Sequence, residues 1–297
     1  MKSFSVSLHG NLIMDNHYYV DQFALNDSNK CIKSYSSPGA IANLVVGLSE
    51  VSHKIKINID SAIGDDENGR YLKRWFSNFN KLNPCMIKDA SLKLSEEKTS
   101  TATIISEVIN KRRSSIVEWG ACSQINKLED FKSDWAHILY IDKLEKINVE
   151  SIKSLSNSSI ISVDLCSSNF DDITRERIIS LLPYVDFVFS SKEEAMHLSE
   201  KDTYLEAAKY LGNLCKGYSV IHSPFNCVFY NRTNKHVMSV PVEKIIQSPA
   251  SVNGAGDTFT ASFICAYLSG KEVGESIMNA HKNTFKILSK RIENEKV

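Results

Sequence analysis

The feature that most constrains this chain is a series of short apolar runs at regular intervals through its middle. Residues 136–141, 160–165, 185–189 and 218–222 are such runs, and helix-like segments of roughly 15–20 residues separate them. A run this short is a strand buried on both faces. A helical return between two such strands brings the chain back to the same edge, so they pair in parallel. The spacing predicts βαβ units in a doubly wound, mainly parallel α/β sheet with helices on both faces. In such sheets ligands bind outside the carboxyl ends of the strands, where Gly10, Asp164 and the turn at 254–257 can converge.

The flanking segments fit that frame less evenly. Phe4, Val6 and Leu8 alternate with serines, a strand ending near Gly10, and the apolar run 11–15 is closed by Asp15. Residues 26–30 form a turn cluster, 32–35 a short strand, and Ser36-Ser37-Pro38-Gly39 a break before a helix with Ile41, Leu44, Val45 and Leu48 on its buried face. Ile55, Ile57 and Ile59 mark a half-buried strand, 64–69 a polar turn, and Tyr71 to Phe79 an amphipathic helix. The β-branched stretches 99–105 and 115–119 read as a hairpin around Lys111-Arg112-Arg113. Later strands are expected at Phe229-Tyr230 and 235–242, a last helix at 275–290, and a frayed tail at 292–297. One domain over 1–297 is expected, with β-rich excursions at about 16–35 and 97–119 forming a small sheet against one edge.

Composition narrows the function. Lys+Arg and Asp+Glu are equal at 35 each, which argues against a nucleic-acid partner held by a basic field. No apolar run approaches the ~18 residues of a membrane span, and residues 1–9 are too mixed for a signal peptide. The seven cysteines show no Cys-x-x-Cys pair, so reduced thiols in a cytoplasmic protein are expected, with no disulfide frame and no Cys/His metal site.

Chemistry concentrates at Asn253-Gly254-Ala255-Gly256-Asp257. The glycines permit a tight turn, and Phe259, Phe263, Ala266 and Tyr267 then recur as one helical face that Gly270 can end. A turn feeding a helix N-terminus aims unpaired N–H groups at one spot, which suits phosphate. Asp257 beside that spot can accept a proton from an attacking hydroxyl, or can simply cap the helix. There is no Gly-x-x-x-x-Gly-Lys-Ser/Thr, no full dinucleotide fingerprint and no Gly-x-Ser-x-Gly elbow, which removes the P-loop, Rossmann and simplest hydrolase readings.

The turn resembles the second signature of the PfkB, or ribokinase-like, family of sugar and nucleoside kinases. The likeness covers most of the chain. Gly10 to Asp15 is similar to the family's first strand, Gly39-Ala40-Ile41-Ala42-Asn43 to its Gly-Gly-x-x-x-Asn segment, 63–69 to its Val-Gly-x-Asp-x-x-Gly turn, and Asp186 to Glu194 to its Asp…Asn-x-x-Glu element. The resemblance implies a ribokinase-like fold with a small β lid at the two excursions. It implies ATP and Mg2+ as cofactors, with room for a monovalent cation, and a homodimer through the lid. Asp257 would be the general base and Gly254, Ala255 and Gly256 the anion hole. Asp15, Gly39 and Asn43 would line the pocket of a sugar or nucleoside, with Ser191, Glu194 and Asn253 on the nucleotide side and Glu194 at the metal. Arg113 could face a substrate phosphate, but is read as a solvated hairpin arginine.

The chain departs from the pattern in four places. Ser251-Val252 replaces Asp-Thr before the glycines, Ser191 replaces the Asn of Asn-x-x-Glu, Pro38 replaces a glycine, and 222–227 lacks the glycines of the nucleotide loop. Two functions follow as expectations. One is an ATP-dependent kinase of a sugar or related polyol. The alternative is a protein of the same fold that binds such a ligand without turning it over.

Overall fold

The computed structural model describes residues 3–84, 86–156, 158–167, 169–245 and 253–295. The chain opens with β1 (Phe4–Gly10), β2 (Leu12–Val20), β3 (Lys33–Ala40), α1 (Ile41–Val51), β4 (Ile55–Gly64), α2 (Glu67–Leu82) and β5 (Ile87–Ser95). β6 (Thr101–Glu107) and β7 (Arg112–Glu118) follow as an antiparallel hairpin. The alternating section comprises β8 (Trp135–Leu139), α3 (Val149–Ser156), β9 (Ile160–Asp164), α4 (Asp172–Leu181), β10 (Phe187–Ser191), α5 (Lys192–Ser199), α6 (Tyr204–Leu214) and β11 (Tyr218–His222). A second hairpin, β12 (Asn226–Asn231) and β13 (His236–Pro241), precedes α7 (Ala255–Leu268) and α8 (Val273–Glu295).

The strands form two sheets. The larger has the order β13-β12-β11-β10-β9-β8-β1-β4-β5, and the smaller the order β3-β2-β6-β7. From β5 to β11 every pair in the large sheet is parallel, and the hairpin β12–β13 adds two antiparallel strands at one edge. The middle strands are largely buried because helices cover both faces: all five residues of β8, His137 among them, are buried. One core cluster includes Leu44, Phe76, Phe263 and Ile277, from α1, α2, α7 and α8. The other includes Ile152, Ile178, Leu198 and Leu211, from α3 to α6. The chain leaves β1 for β4 on one side and later enters β8 on the other. This is the switch point where a crevice opens, beyond Gly10 and Leu139.

Several local expectations change. The break at 36–39 lies within β3, which pairs with β2 through Ala40. Pro38 is tolerated because β3 is an edge strand, where a missing N–H removes no bond to a further neighbour. β5 was hidden because its sequence, Ile-Lys-Asp-Ala-Ser-Leu-Lys-Leu-Ser, belongs to an edge with little burial. α7 is buried from Asp257 to Ala266, not on one face only, since α1 packs so closely that a Cβ on Gly47 would lie 2.9 Å from that of Ala261. α8 runs to Glu295 through the segment expected to fray. Gly270 (φ 90°) ends α7 as expected.

The turn at 63–69 shows how a polar motif shapes the frame. Asp66 caps α2 by accepting from the Gly69 N–H (2.8 Å), and also accepts from the Thr99 N–H (2.8 Å) and hydroxyl (2.6 Å). One carboxylate thereby fixes a helix start in the large sheet's layer and the entry to β6 in the small sheet.

Candidate active site

The two sheets meet over a cavity of about 490 Å³. Its polar lining includes Asp15 of β2, Asn43 of α1, Asp164 at the end of β9, Glu194 of α5 and Asp257 of α7. Its apolar wall comes from the small sheet and the segment after it, with Ile13, Ile104, Val117 and Trp119.

Asp257 lies in the first turn of α7 and is not its N-cap. That position belongs to Gly254, in the left-handed region (φ 73°), where a Cβ would press on the Asn43 side chain at 3.0 Å. Because the cap is a glycine, no cap side chain bonds the first turn, a setting that suits an anion beside Asp257. Asn43, on α1, donates from Nδ2 to Asp257 Oδ2 (2.9 Å). The Tyr140 hydroxyl reaches Asp257 Oδ1 at 3.5 Å.

A second set ties the small sheet to the glycine turn. Asp15 of β2 accepts from Asn253 Nδ2 (2.8 Å), and Asn253 Oδ1 accepts from Arg113 Nη2 on β7 (2.8 Å). The Asn253 amide therefore joins an arginine and a carboxylate, each bond charge-assisted at one end. Burial raises the Asp15 carboxyl above its ordinary value, while the Asn253 bond and the Arg113 charge oppose that rise. Gly39 pairs with Ile13 on β2 and sits diagonal to Asp15, whose carboxylate a Cβ would meet 2.6 Å from Cγ. Arg113 is exposed on the hairpin, as expected, and its guanidinium also lines the rim of the cavity. Asn253, expected on the nucleotide side, bonds Asp15.

Ser191 and Glu194 form a capping box at the start of α5. The Ser191 hydroxyl accepts from the Glu194 N–H (3.3 Å), and Glu194 Oε2 accepts from the Ser191 N–H (2.7 Å). Burial pushes the Glu194 carboxyl up to about 7. A cation beside it would restore its charge, and Mg2+ needs only one or two carboxylates besides phosphate oxygens. Among the described residues no group of three or more His, Cys, Asp or Glu side chains is placed to hold a metal ion.

Beyond Gly256 lies a second, largely apolar cavity of about 340 Å³, walled by His222, Pro224, Phe259, His281 and Phe285. Pro224 lies in the 222–227 segment, which lacks the glycines of the family's nucleotide loop. Ser251 and Val252, where the turn departs from its pattern, lie outside the described residues. Among the described residues no helix is long and apolar enough to cross a membrane.

Tyr140 and Trp119 went unmarked in the sequence. Tyr140 follows β8 with φ 55° and ψ 53°, a left-handed conformation that costs a bulky residue roughly 1–3 kcal/mol. Its N–H donates to Asp164 Oδ1 (2.6 Å), which holds the backbone there. Its position just past a parallel strand at the switch point was the available signal.

The doubly wound sheet, the small sheet across its carboxyl edge and the glycine turn opening on Asp257 define the ribokinase-like class of α/β proteins. Residues 5–283 match the model of the pfkB family of carbohydrate kinases, and the chain belongs to that family. It is 25% identical over 247 residues to a nucleoside kinase of Methanocaldococcus jannaschii, covering 79% of this chain and 73% of that one. Adenosine kinase from Schistosoma mansoni, solved with 2-fluoroadenosine, superposes with a TM-score of 0.77 at 17% identity, over 95% of this chain and 94% of that one. Arabidopsis thaliana ribokinase, solved with ribose and ATP, gives 0.71 at 14% identity, over 97% and 99%.

Proposed function

We propose that this protein transfers the γ-phosphoryl group of ATP to a hydroxymethyl group of a nucleoside or sugar, with Asp257 as general base. The observation that carries the reading is the placement of Asp257. One oxygen is held by Asn43, the other faces a cavity shared with Asp15, and the carboxylate lies one turn from a glycine-capped helix start. The acceptor lies against Asp15 and Asn43, with Gly39 leaving room for the Asp15 carboxylate. Asn253 and Arg113 belong to this acceptor side. As the hydroxyl attacks phosphorus, Asp257 takes its proton. The N–H groups of Gly254, Ala255 and Gly256, with the helix dipole, stabilise charge on the transferring oxygens.

The adenosine of ATP lies in the apolar cavity beyond Gly256, with Ser191 and Glu194 toward its phosphates. Mg2+, held by Glu194 and phosphate oxygens, would neutralise charge on the phosphates when bound. The small sheet acts as a lid that excludes water, and the apolar wall from Ile13 to Trp119 suits a base more than a bare sugar. A homodimer through that sheet is the expected assembly.

The test is ADP formation over a panel of nucleosides and sugars, with wild type and Asp257→Asn. Equal turnover by the two proteins would sink Asp257 as base. A second reading, ligand binding without turnover, is favoured by one observation: Glu194 is engaged in capping α5. Calorimetry with ATP–magnesium separates the two, since tight nucleotide binding counts against the second.

A further inference from the structure

Phosphoryl-transfer sites must keep water from taking the acceptor's place, because water is abundant and any base that serves a hydroxymethyl group can serve water too. Asp257 Oδ2 accepts from Asn43 Nδ2 at 2.9 Å, and Oδ1 is the oxygen on the Tyr140 side. The group standing at Oδ1 is the Tyr140 hydroxyl, at 3.5 Å. This distance is at the outer limit of a hydrogen bond, so the contact can be displaced.

Three features hold Tyr140 there. Its backbone is in the left-handed region. Its N–H is tied to Asp164 at 2.6 Å, and Asp164 is itself braced by His137 Nε2 at 3.3 Å. Its ring meets Trp119 edge to face, with centroids 6.5 Å apart. A conformation disfavoured for tyrosine, kept at a candidate active site, points to a use for the side chain. The phenol stays protonated, because burial and the negative charge of Asp257 push it well above the ordinary value of 10. It can therefore only donate to the carboxylate or withdraw.

We propose that Tyr140 is a positioning residue that guards the base: its hydroxyl shares Asp257 Oδ1 until an acceptor hydroxymethyl group displaces it. This inference rests on the reading of Asp257 as the base. The reaction it suppresses is hydrolysis. There a bond forms between water oxygen and the γ-phosphorus, the bridging bond to ADP breaks, the water proton goes to Asp257, and ADP and inorganic phosphate leave. Tyr140 takes no proton and forms no covalent bond.

The test uses the full chain with ATP–magnesium and compares wild type, Tyr140→Phe, Asp257→Asn and the double variant. Tyr140→Phe keeps the ring and removes the hydroxyl. It is expected to raise ADP release without acceptor about tenfold, the scale of one hydrogen bond to a charged group. The double variant is expected to lose that gain. In a separate arm, calorimetry with adenosine as probe is expected to show tighter binding by Tyr140→Phe, since no contact to Asp257 must be broken. This arm decides the matter alone if wild type shows no turnover. Unchanged acceptor-free hydrolysis, or in a silent protein unchanged or weaker adenosine binding, overturns the role of Tyr140. Full acceptor phosphorylation by Asp257→Asn instead overturns the base, a separate result. Tyr140→Gly, which suits φ 55° and removes the ring, repeats the comparison if Tyr140→Phe does not fold.

Discussion

The two sides of the glycine turn are built differently. On the proposed acceptor side, two sets of side-chain hydrogen bonds of 2.8–2.9 Å tie elements remote in sequence: Asn43–Asp257 joins α1 to α7, and Asp15–Asn253–Arg113 joins β2 and β7 to the glycine turn. On the donor side, the polar groups serve local structure: Ser191 and Glu194 close a capping box, and the 222–227 segment makes its own turn, with Ser223 Oγ donating to the Asn226 carbonyl (2.8 Å). A network linking distant elements fixes positions to fractions of an ångström, which chemistry at a hydroxyl requires. An apolar cavity with locally satisfied edges needs only shape.

If the acceptor side carries the chemistry, its residues should show the largest effects, graded by how directly they touch the reacting atoms. Asp257→Asn is expected to lower kcat by about 10²–10⁴-fold with little change in acceptor KM, measured by coupled ADP assay. Gly39→Ala comes next. A methyl there drives the Asp15 carboxylate out of place, and acceptor KM is expected to rise about tenfold or more, the equivalent of ~1–3 kcal/mol of overpacking. Asn43→Ala removes a donor to a charged oxygen and is expected to lower kcat about tenfold. An Asn43→Ala protein with full activity would break the comparison, because the network would then be a packing device only.

Much of this was legible in the sequence for physical reasons. Buried parallel strands must be apolar and short, so 160–165 and 218–222 declare themselves. Turns with positive φ or close approach need glycine, which marks Gly254. What stayed hidden depended on partners remote in sequence. Asn253 lies 238 residues from the carboxylate it bonds, so nothing near it indicates the acceptor side. Arg113 looks like any basic residue in a hairpin until the small sheet folds over the cavity. Tyr140 carries its strain in φ and ψ, which its residue type does not reveal. The edge strand β5 has too little burial to impose a pattern.

The smallest expected effect belongs to the donor side and appears in stability. His222 forms the wall between the two cavities, with its ring 5.4 Å from that of Phe259. Burial, the largest cause, lowers its imidazole to about 4. The folded value is below the unfolded one of about 6.5, so between those limits the unfolded chain binds the extra proton. This contribution is complete above pH 6.5 and is lost as pH falls toward 4, with no further loss below that. Glu194, raised to about 7, contributes with the opposite sign in the same window, so the test is the difference between two proteins: from pH 7 to 4, His222→Gln should lose about 1 kcal/mol less stability than wild type by urea midpoint, after discounting for the ring's access to the cavities. His17, also lowered to about 4, shares the window and cancels in that difference. The Asp15–Asn253–Arg113 chain should be unaffected by the substitution, and acceptor KM with it. A variant that loses acceptor binding along with the pH slope would show that the two sides of the turn are one cooperative unit.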